Sequence, residues 1–145
     1  MGYGIFTGCS SLEEIVIPDN IKSLLLATFA YCSNLKNITL PEGMVTIEGS
    51  VLQQGTFHGC QKLSSITIPS TVTSIGGYVF GNCTSLTTIY SKPTKPPKAG
   101  PNLFSSRDSN ILDNITIYVP QESVEKYKTS EYWLPYSSKI TGYNY

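Results

Sequence analysis

The stretch Phe57-His58-Gly59-Cys60-Gln61-Lys62-Leu63-Ser64-Ser65-Ile66-Thr67-Ile68-Pro69 carries its apolar residues at the same places as Phe6-Thr7-Gly8-Cys9-Ser10-Ser11-Leu12-Glu13-Glu14-Ile15-Val16-Ile17-Pro18. A third copy runs from Phe29 to Pro41 with Cys32, Leu35, Ile38 and Leu40 in register, and Phe80, Cys83, Leu86 and Ile89 open a fourth. After each proline a second shared piece follows: Ile21 and Leu24, then Met44 and Ile47, then Val72 and Ile75. Cysteines at 9, 32, 60 and 83 and phenylalanines at 6, 29, 57 and 80 give the same steps of 23, 28 and 23. Two residue types that share one period and one exception establish a repeat. The exception is five extra residues between Ile47 and Phe57, because Leu24 to Phe29 and Ile75 to Phe80 are each five steps apart. Placed within residues 50–55, they are expected to bulge out and leave the register intact.

A period of 23 falls in the leucine-rich range of roughly 20–29, where each repeat adds one short strand to a stack. Ile66 and Ile68 point to one face of such a strand and Ser65 and Thr67 to the other. Pro69 ends it, having no N–H for a ladder and a fixed φ. Val72 and Ile75 then re-enter the core, and the Phe-x-x-Cys piece makes the return turn. Phe6, Phe29, Phe57 and Phe80 are expected to form one buried column, and Leu12, Leu35, Leu63 and Leu86 another. One repeat cannot cover its own apolar side, so stability comes from stacking. The predicted fold is a leucine-rich repeat solenoid, mainly β, with short parallel strands and few helices.

The fourth copy departs from the pattern: Ser91-Lys92 stands where Ile68-Pro69 would recur, and Pro93, Pro96 and Pro97 follow. That composition predicts an end to the ladder and a crossing into other structure. The chain therefore divides into residues 1–92, about 3.5 repeats, and residues 93–145, a proline-rich crossing and a small strand-plus-helix cap. Residues 115–119 read as a strand added to the stack. Pro120 starts a helix over 121–128, with Val124 and Tyr127 inward at i, i+3 spacing, and Trp133, Tyr136 and Ile140 complete the cap. At the other end Met1 stands where Ile75 stands relative to Phe80, so the sequence opens in mid-repeat. The expectation is a piece of a longer array or a natural truncation, whose first repeat frays and self-associates through a bare edge.

The repeat resembles the BspA-like leucine-rich repeat family, whose unit is Phe-x-x-Cys-x-x-Leu-x-x-Ile-x-Ile-Pro-x-x-Val-x-x-Ile. The resemblance covers residues 1 to about 92. The tail is similar to a common ending of such proteins in gut bacteria of the Bacteroides group: Thr94-Lys95-Pro96-Pro97, Leu103-Phe104, Ile115-Thr116-Ile117-Tyr118-Val119-Pro120, Ser123-Val124-Glu125-Lys126-Tyr127-Lys128 and Trp133. The resemblance implies a bacterial protein, secreted or at the cell surface, used in adhesion or recognition. It implies no catalytic residues.

Composition narrows the partners. Ten basic and ten acidic side chains cancel, which removes the electrostatic argument for nucleic acid or anionic lipid. The longest apolar run, Leu24-Leu25-Leu26-Ala27, is far too short to span a bilayer. No basic region followed by an apolar stretch opens the chain, so no leader peptide is read in it. Ten tyrosines stand against one tryptophan. They suit a contact surface, because tyrosine offers rigid area at little entropy cost, and they equally suit packing between repeats.

Chemistry finds little support. One cysteine at the same place in every repeat makes a line roughly 4.8 Å apart, which neither converges on zinc nor readily meets a disulfide dihedral. Buried, reduced thiols acting as small apolar residues are expected. His58 is the sole histidine, at a place held elsewhere by Thr7, Ala30 and Gly81, and reads as an exposed turn residue. Glu13 and Glu14 start toward opposite faces of a strand, so they do not pair as acid and base. Gly2 and Gly76-Gly77 fall at turns and make no phosphate loop. No catalytic, metal or cofactor site is assigned.

What remains is surface. Outward strand positions stack as Glu14, Asn37, Ser65 and Thr88, and beside them Val16, Thr39, Thr67 and Tyr90. This neutral, hydroxyl-rich face, expected to end in an exposed Tyr90, is the candidate contact surface; a merely solvated sheet face rich in threonine is the plainer alternative. The leading expectation is a non-catalytic module that binds a protein of a host or neighbouring cell. The first alternative is a carbohydrate-binding module using Tyr90, Tyr118 or Trp133 as platforms; the second is a structural spacer.

Overall fold

The computed structural model describes residues 2–52, 54–105 and 111–145. Each repeat supplies two short strands because two apolar pieces separated by a proline turn enter the same core. The Ile-x-Ile pieces form β1 (Glu14–Val16), β3 (Asn37–Thr39), β5 (Ser65–Ile68) and β7 (Thr88–Ser91). The pieces after the prolines form β2 (Ser23–Leu24), β4 (Thr46–Ile47) and β6 (Ser74–Ile75), continued by β8 (Lys98–Ala99). β9 (Thr116–Pro120) and β10 (Ile140–Tyr143) follow in the C-terminal region, with short helices α1 (Ile111–Asn114) and α2 (Val124–Thr129). Every pairing is parallel: β2-β4-β6-β8 in one sheet, β1-β3 and β10-β9-β7-β5 in the others. β3 and β5 are neighbours without a hydrogen-bonded ladder, at the step where the five extra residues fall.

The phenylalanines stack as one column, with centroid spacings of 5.2 Å (Phe6–Phe29), 5.8 Å (Phe29–Phe57) and 5.9 Å (Phe57–Phe80). A fifth ring, Phe104, extends it 5.7 Å beyond Phe80. Phe29, Phe57 and Phe80 are fully buried, as are Leu35, Leu63 and Leu86. Phe6, Cys9 and Leu12 are only half-buried, since among the described residues they pack against the following repeat on one side alone.

The Phe-x-x-Cys turn closes through the Cys N–H donating to the Phe carbonyl, at 3.0–3.3 Å in the four repeats. The thiol makes a second bond. Cys32 donates to the Phe6 carbonyl (3.0 Å), Cys60 to Phe29 (3.2 Å) and Cys83 to Phe57 (3.1 Å). Each of these cysteines thus ties its turn to the preceding one, a role beyond that of a small apolar residue. The turn also needs a left-handed residue two places after each phenylalanine: Gly8, Tyr31, Gly59 and Asn82 all have positive φ. Tyr31 bears a steric cost there of about 1–2 kcal/mol, offset by the lateral bonds of the stack.

The extra residues leave the column undisturbed. Thr56 closes their base, its N–H and hydroxyl both donating to the Glu48 carbonyl at 3.2 and 2.6 Å. Val51 and Leu52 project outward, 70% and 76% exposed, and Gln53 lies outside the described residues.

The proline cluster does not end the ladder, contrary to the expectation from composition. β8 pairs with β6 in register, Ser74 opposite Lys98 and Ile75 opposite Ala99. Pro93 and Pro97 are buried, and their carbonyls take bonds from the cap: the Tyr127 hydroxyl donates to Pro93 (2.8 Å) and the Trp133 indole N–H to Pro97 (2.8 Å). Side chains from the cap thus supply the lateral bonds that backbone supplies in the other repeats. Ser91 takes the inward place of Ile68; it is buried without penalty because its hydroxyl pairs with Tyr127 at 3.0 Å. β9 joins β7, β10 joins β9, and α2 covers this end with Tyr127, Trp133, Tyr136 and Ile140 buried. The helix over 121–128 is a 3-10 turn, Gln121–Ser123, running into α2.

Candidate functional site

Period-two alternation sends one set of side chains out of the sheet. Glu14 lies opposite Asn37 and Val16 opposite Thr39, and all four are exposed, Val16 to 73%. Ser65 lies opposite Thr88 and Thr67 opposite Tyr90; the first member of each pair is exposed and the second half-buried. The eight residues singled out in the sequence thus lie in two registered pairs of columns, on the β1-β3 and β5-β7 pieces. Thr116 and Tyr118 continue the columns on β9.

The C-terminal end of this face is aromatic. Tyr90 and Tyr118 stack at 5.1 Å, and Tyr143 meets both edge-on at 5.4 and 5.7 Å. Tyr145 packs against Tyr143 at 4.9 Å and donates its hydroxyl to the Tyr118 carbonyl (2.9 Å). Burial holds that hydroxyl protonated well above the usual tyrosine range. Tyr143 and Tyr145 lie outside any repeat and no sequence pattern singles them out; Tyr143 ends β10 and Tyr145 follows it. Trp133, offered as a platform, is 1% exposed and serves the cap instead.

Beyond the strand ends, Glu42, Ser70 and Lys92 come together although the repeat gives no hint of a pairing. Lys92 Nζ donates to Glu42 Oε1 at 3.0 Å, and the Ser70 N–H and hydroxyl donate to Oε2 at 3.1 and 3.0 Å. Desolvation raises the Glu42 pKa, but the bonds from Lys92 and Ser70 outweigh it and hold the carboxyl below its usual range. These residues line an open cleft of about 440 Å³ with Thr94, Pro120, Glu122, Tyr143, Asn144 and Tyr145.

The groups usable for catalysis are placed otherwise. Burial pushes the Cys32 thiol up to about 11 and Cys83 to about 12, and raises Cys60 as well, so all three stay protonated. All four cysteines are free, and Cys9 is half-exposed rather than buried. His58 is buried, not an exposed turn residue. Its ring meets Tyr31 edge-on at 5.4 Å, and its Nδ1 has no partner among the described residues. The space exists because residue 81 is glycine: a Cβ there would come within 2.6 Å of Nδ1. Burial lowers the pKa of this imidazole. Among the described residues no group of three or more His, Cys, Asp or Glu is placed to hold a metal ion, and no helix is long and apolar enough to cross a membrane.

The family described as BspA type leucine rich repeat region (6 copies) matches residues 1–54 and 50–140. Among curated proteins none matches. A solved leucine-rich repeat protein from Bacteroides ovatus is similar at 22% identity and a TM-score of 0.48, over 87% of this chain and 44% of that one. The chain thus spans less than half the length of that protein.

Proposed function

The chain belongs to the BspA-type leucine-rich repeat family, and from that premise we propose that it is a non-catalytic recognition module of a secreted or surface protein, engaging a protein partner through the outward sheet face. The observation that carries this reading is the tyrosine patch at the end of that face. Tyr90, Tyr118 and Tyr143 bring three rings into mutual contact on a neutral, hydroxyl-lined surface. Rigid aromatic anchors surrounded by small polar groups are the composition of protein-binding surfaces.

Size sets the expected strength. Six strands at about 4.8 Å spacing span roughly 25 Å, and three residues along each strand about 10 Å. A partner confined to this strip buries far less than the ~800 Å² per side of a stable complex, so it binds weakly or spreads onto flanking rows. The exposed Glu13–Lys36 pair, 2.8 Å apart, is one such row. The test is binding to a panel of extracellular host proteins by the native chain and by a Tyr90→Ser/Tyr118→Ser variant. The reading expects at least one ligand whose affinity falls about tenfold or more in the variant, a loss of about 1.4 kcal/mol. Binding unchanged in a folded variant, or none at all, removes it and leaves the carbohydrate-binding and spacer alternatives.

A further inference from the structure

The cleft beyond the strand ends has a chemistry distinct from the sheet face. Tyr143 and Tyr145, 42% and 52% exposed, meet at 65° and make a corner of one ring face and one ring edge. Opposite them the Glu42–Lys92 pair is fixed by Ser70, so its polar atoms are already oriented. Lys92 uses one of its N–H donors on Glu42. Among the described residues, the Glu122 carboxylate, the Asn144 amide and the Tyr143 hydroxyl make no hydrogen bond. The cleft therefore combines an aromatic corner with unused acceptors and donors, and about 440 Å³ of open space, within the range of small-molecule sites.

Charge decides among the ligands this could take. Of the charged side chains in the lining, Lys92 is cancelled by Glu42, and Glu122 leaves one negative charge in excess, which disfavours phosphate, sulfate and acidic sugars. A purely apolar ligand would strand the ion pair and the free polar groups. We propose that this cleft binds a neutral pyranose unit of an oligosaccharide. The C–H face of the sugar lies on the tyrosine corner, Glu122 accepts from its hydroxyls, and Asn144 and Lys92 donate. The cleft shares Tyr143 with the tyrosine patch, but Glu42, Lys92, Glu122 and Asn144 lie outside that patch, so the proposal does not rest on the protein-recognition reading.

The experiment is calorimetric titration of the full chain with maltotetraose, cellotetraose, α-mannotetraose, chitotetraose and a sialylated tetrasaccharide. At least one neutral probe is expected to bind, with affinity little changed by salt. Tyr143→Ala and Glu122→Gln should each weaken it by about tenfold or more, while Tyr31→Ala, remote from the cleft, should not. Melting curves show whether each variant is folded; should Tyr143→Ala melt early, the exposed Glu122→Gln carries the test. No binding by any neutral probe, binding only by the sialylated one, or binding retained in folded Glu122→Gln overturns the proposal. Loss of sugar binding in Tyr90→Ser/Tyr118→Ser with Glu122→Gln unaffected overturns it too, by moving the sugar to the sheet face.

Discussion

Phe57→Ala removes the central ring of the column. Phe57 is fully buried, flanked by Phe29 and Phe80 at 5.8 and 5.9 Å with ring planes within 7° of parallel. The lost transfer energy of such a side chain is about 1.5–3 kcal/mol. The cavity adds to it, because residues 55–60 are all buried and held by lateral backbone bonds, leaving little room to collapse. The total expected is about 3–5 kcal/mol, a large share of a total stability that typically lies at about 5–15 kcal/mol. Phe6→Ala is the internal control. Its ring is half-buried and has one stacked neighbour, Phe29 at 5.2 Å, so less than half that loss is expected. Urea unfolding followed by far-UV circular dichroism measures the repeats, and the fluorescence of Trp133 reports the cap. A loss below about 1 kcal/mol for Phe57→Ala, or equal losses for the two variants, would refute a continuous column whose first ring is packed on one side.

Three further outcomes follow from the same geometry. Because burial lowers the His58 pKa below the unfolded value of 6.5, the unfolded chain binds the proton first. Stability should therefore fall as pH drops below about 6.5, and His58→Ala should flatten that part of the pH profile; the Glu13 and Glu42 carboxyls act only at lower pH. In a thiol titration of the folded chain Cys9 should react while Cys32, Cys60 and Cys83 stay silent until denaturant is added; four silent thiols would contradict the half-exposed position of Cys9. In hydrogen exchange, amides of residues 15–17 should exchange well before those of 66–68, and Lys98 and Gly100, which donate to Thr73 and Ile75 at 3.0 and 2.8 Å, should be protected. Rapid exchange at 98 and 100 would restore the proline stretch to a loop.

Most of the stack was readable in the sequence, because apolar residues at a fixed period can only bury themselves by stacking. Phe, Leu and Ile columns followed from spacing alone, and so did the harmless insertion. What escaped the reading depends on partners far away in the chain. The stretch through Pro93 and Pro97 rejoins the ladder at β8, and Tyr127 and Trp133 reach back to the two proline carbonyls. His58 is buried because Gly81 leaves room for it. Glu42 and Lys92 pair although 50 residues separate them. The sequence shows a hydroxyl-rich face ending in Tyr90, but the tyrosine patch around that residue draws its other two members, Tyr118 and Tyr143, from the tail. A periodic pattern reveals what every repeat shares; a binding site is made from what single repeats and the cap do differently.

The recognition face can be tested by hydroxyl-radical footprinting, since tyrosines are both the proposed contacts and good reporters. Tyr3 and Tyr31 are 64% and 55% exposed and lie outside the patch. With a bound panel protein, labelling of Tyr90, Tyr118 and Tyr143 should fall while that of Tyr3 and Tyr31 stays unchanged. Protection of Tyr3 or Tyr31 with Tyr90 and Tyr118 labelled as before would contradict the account, because the partner would then sit on the turns and not on the sheet.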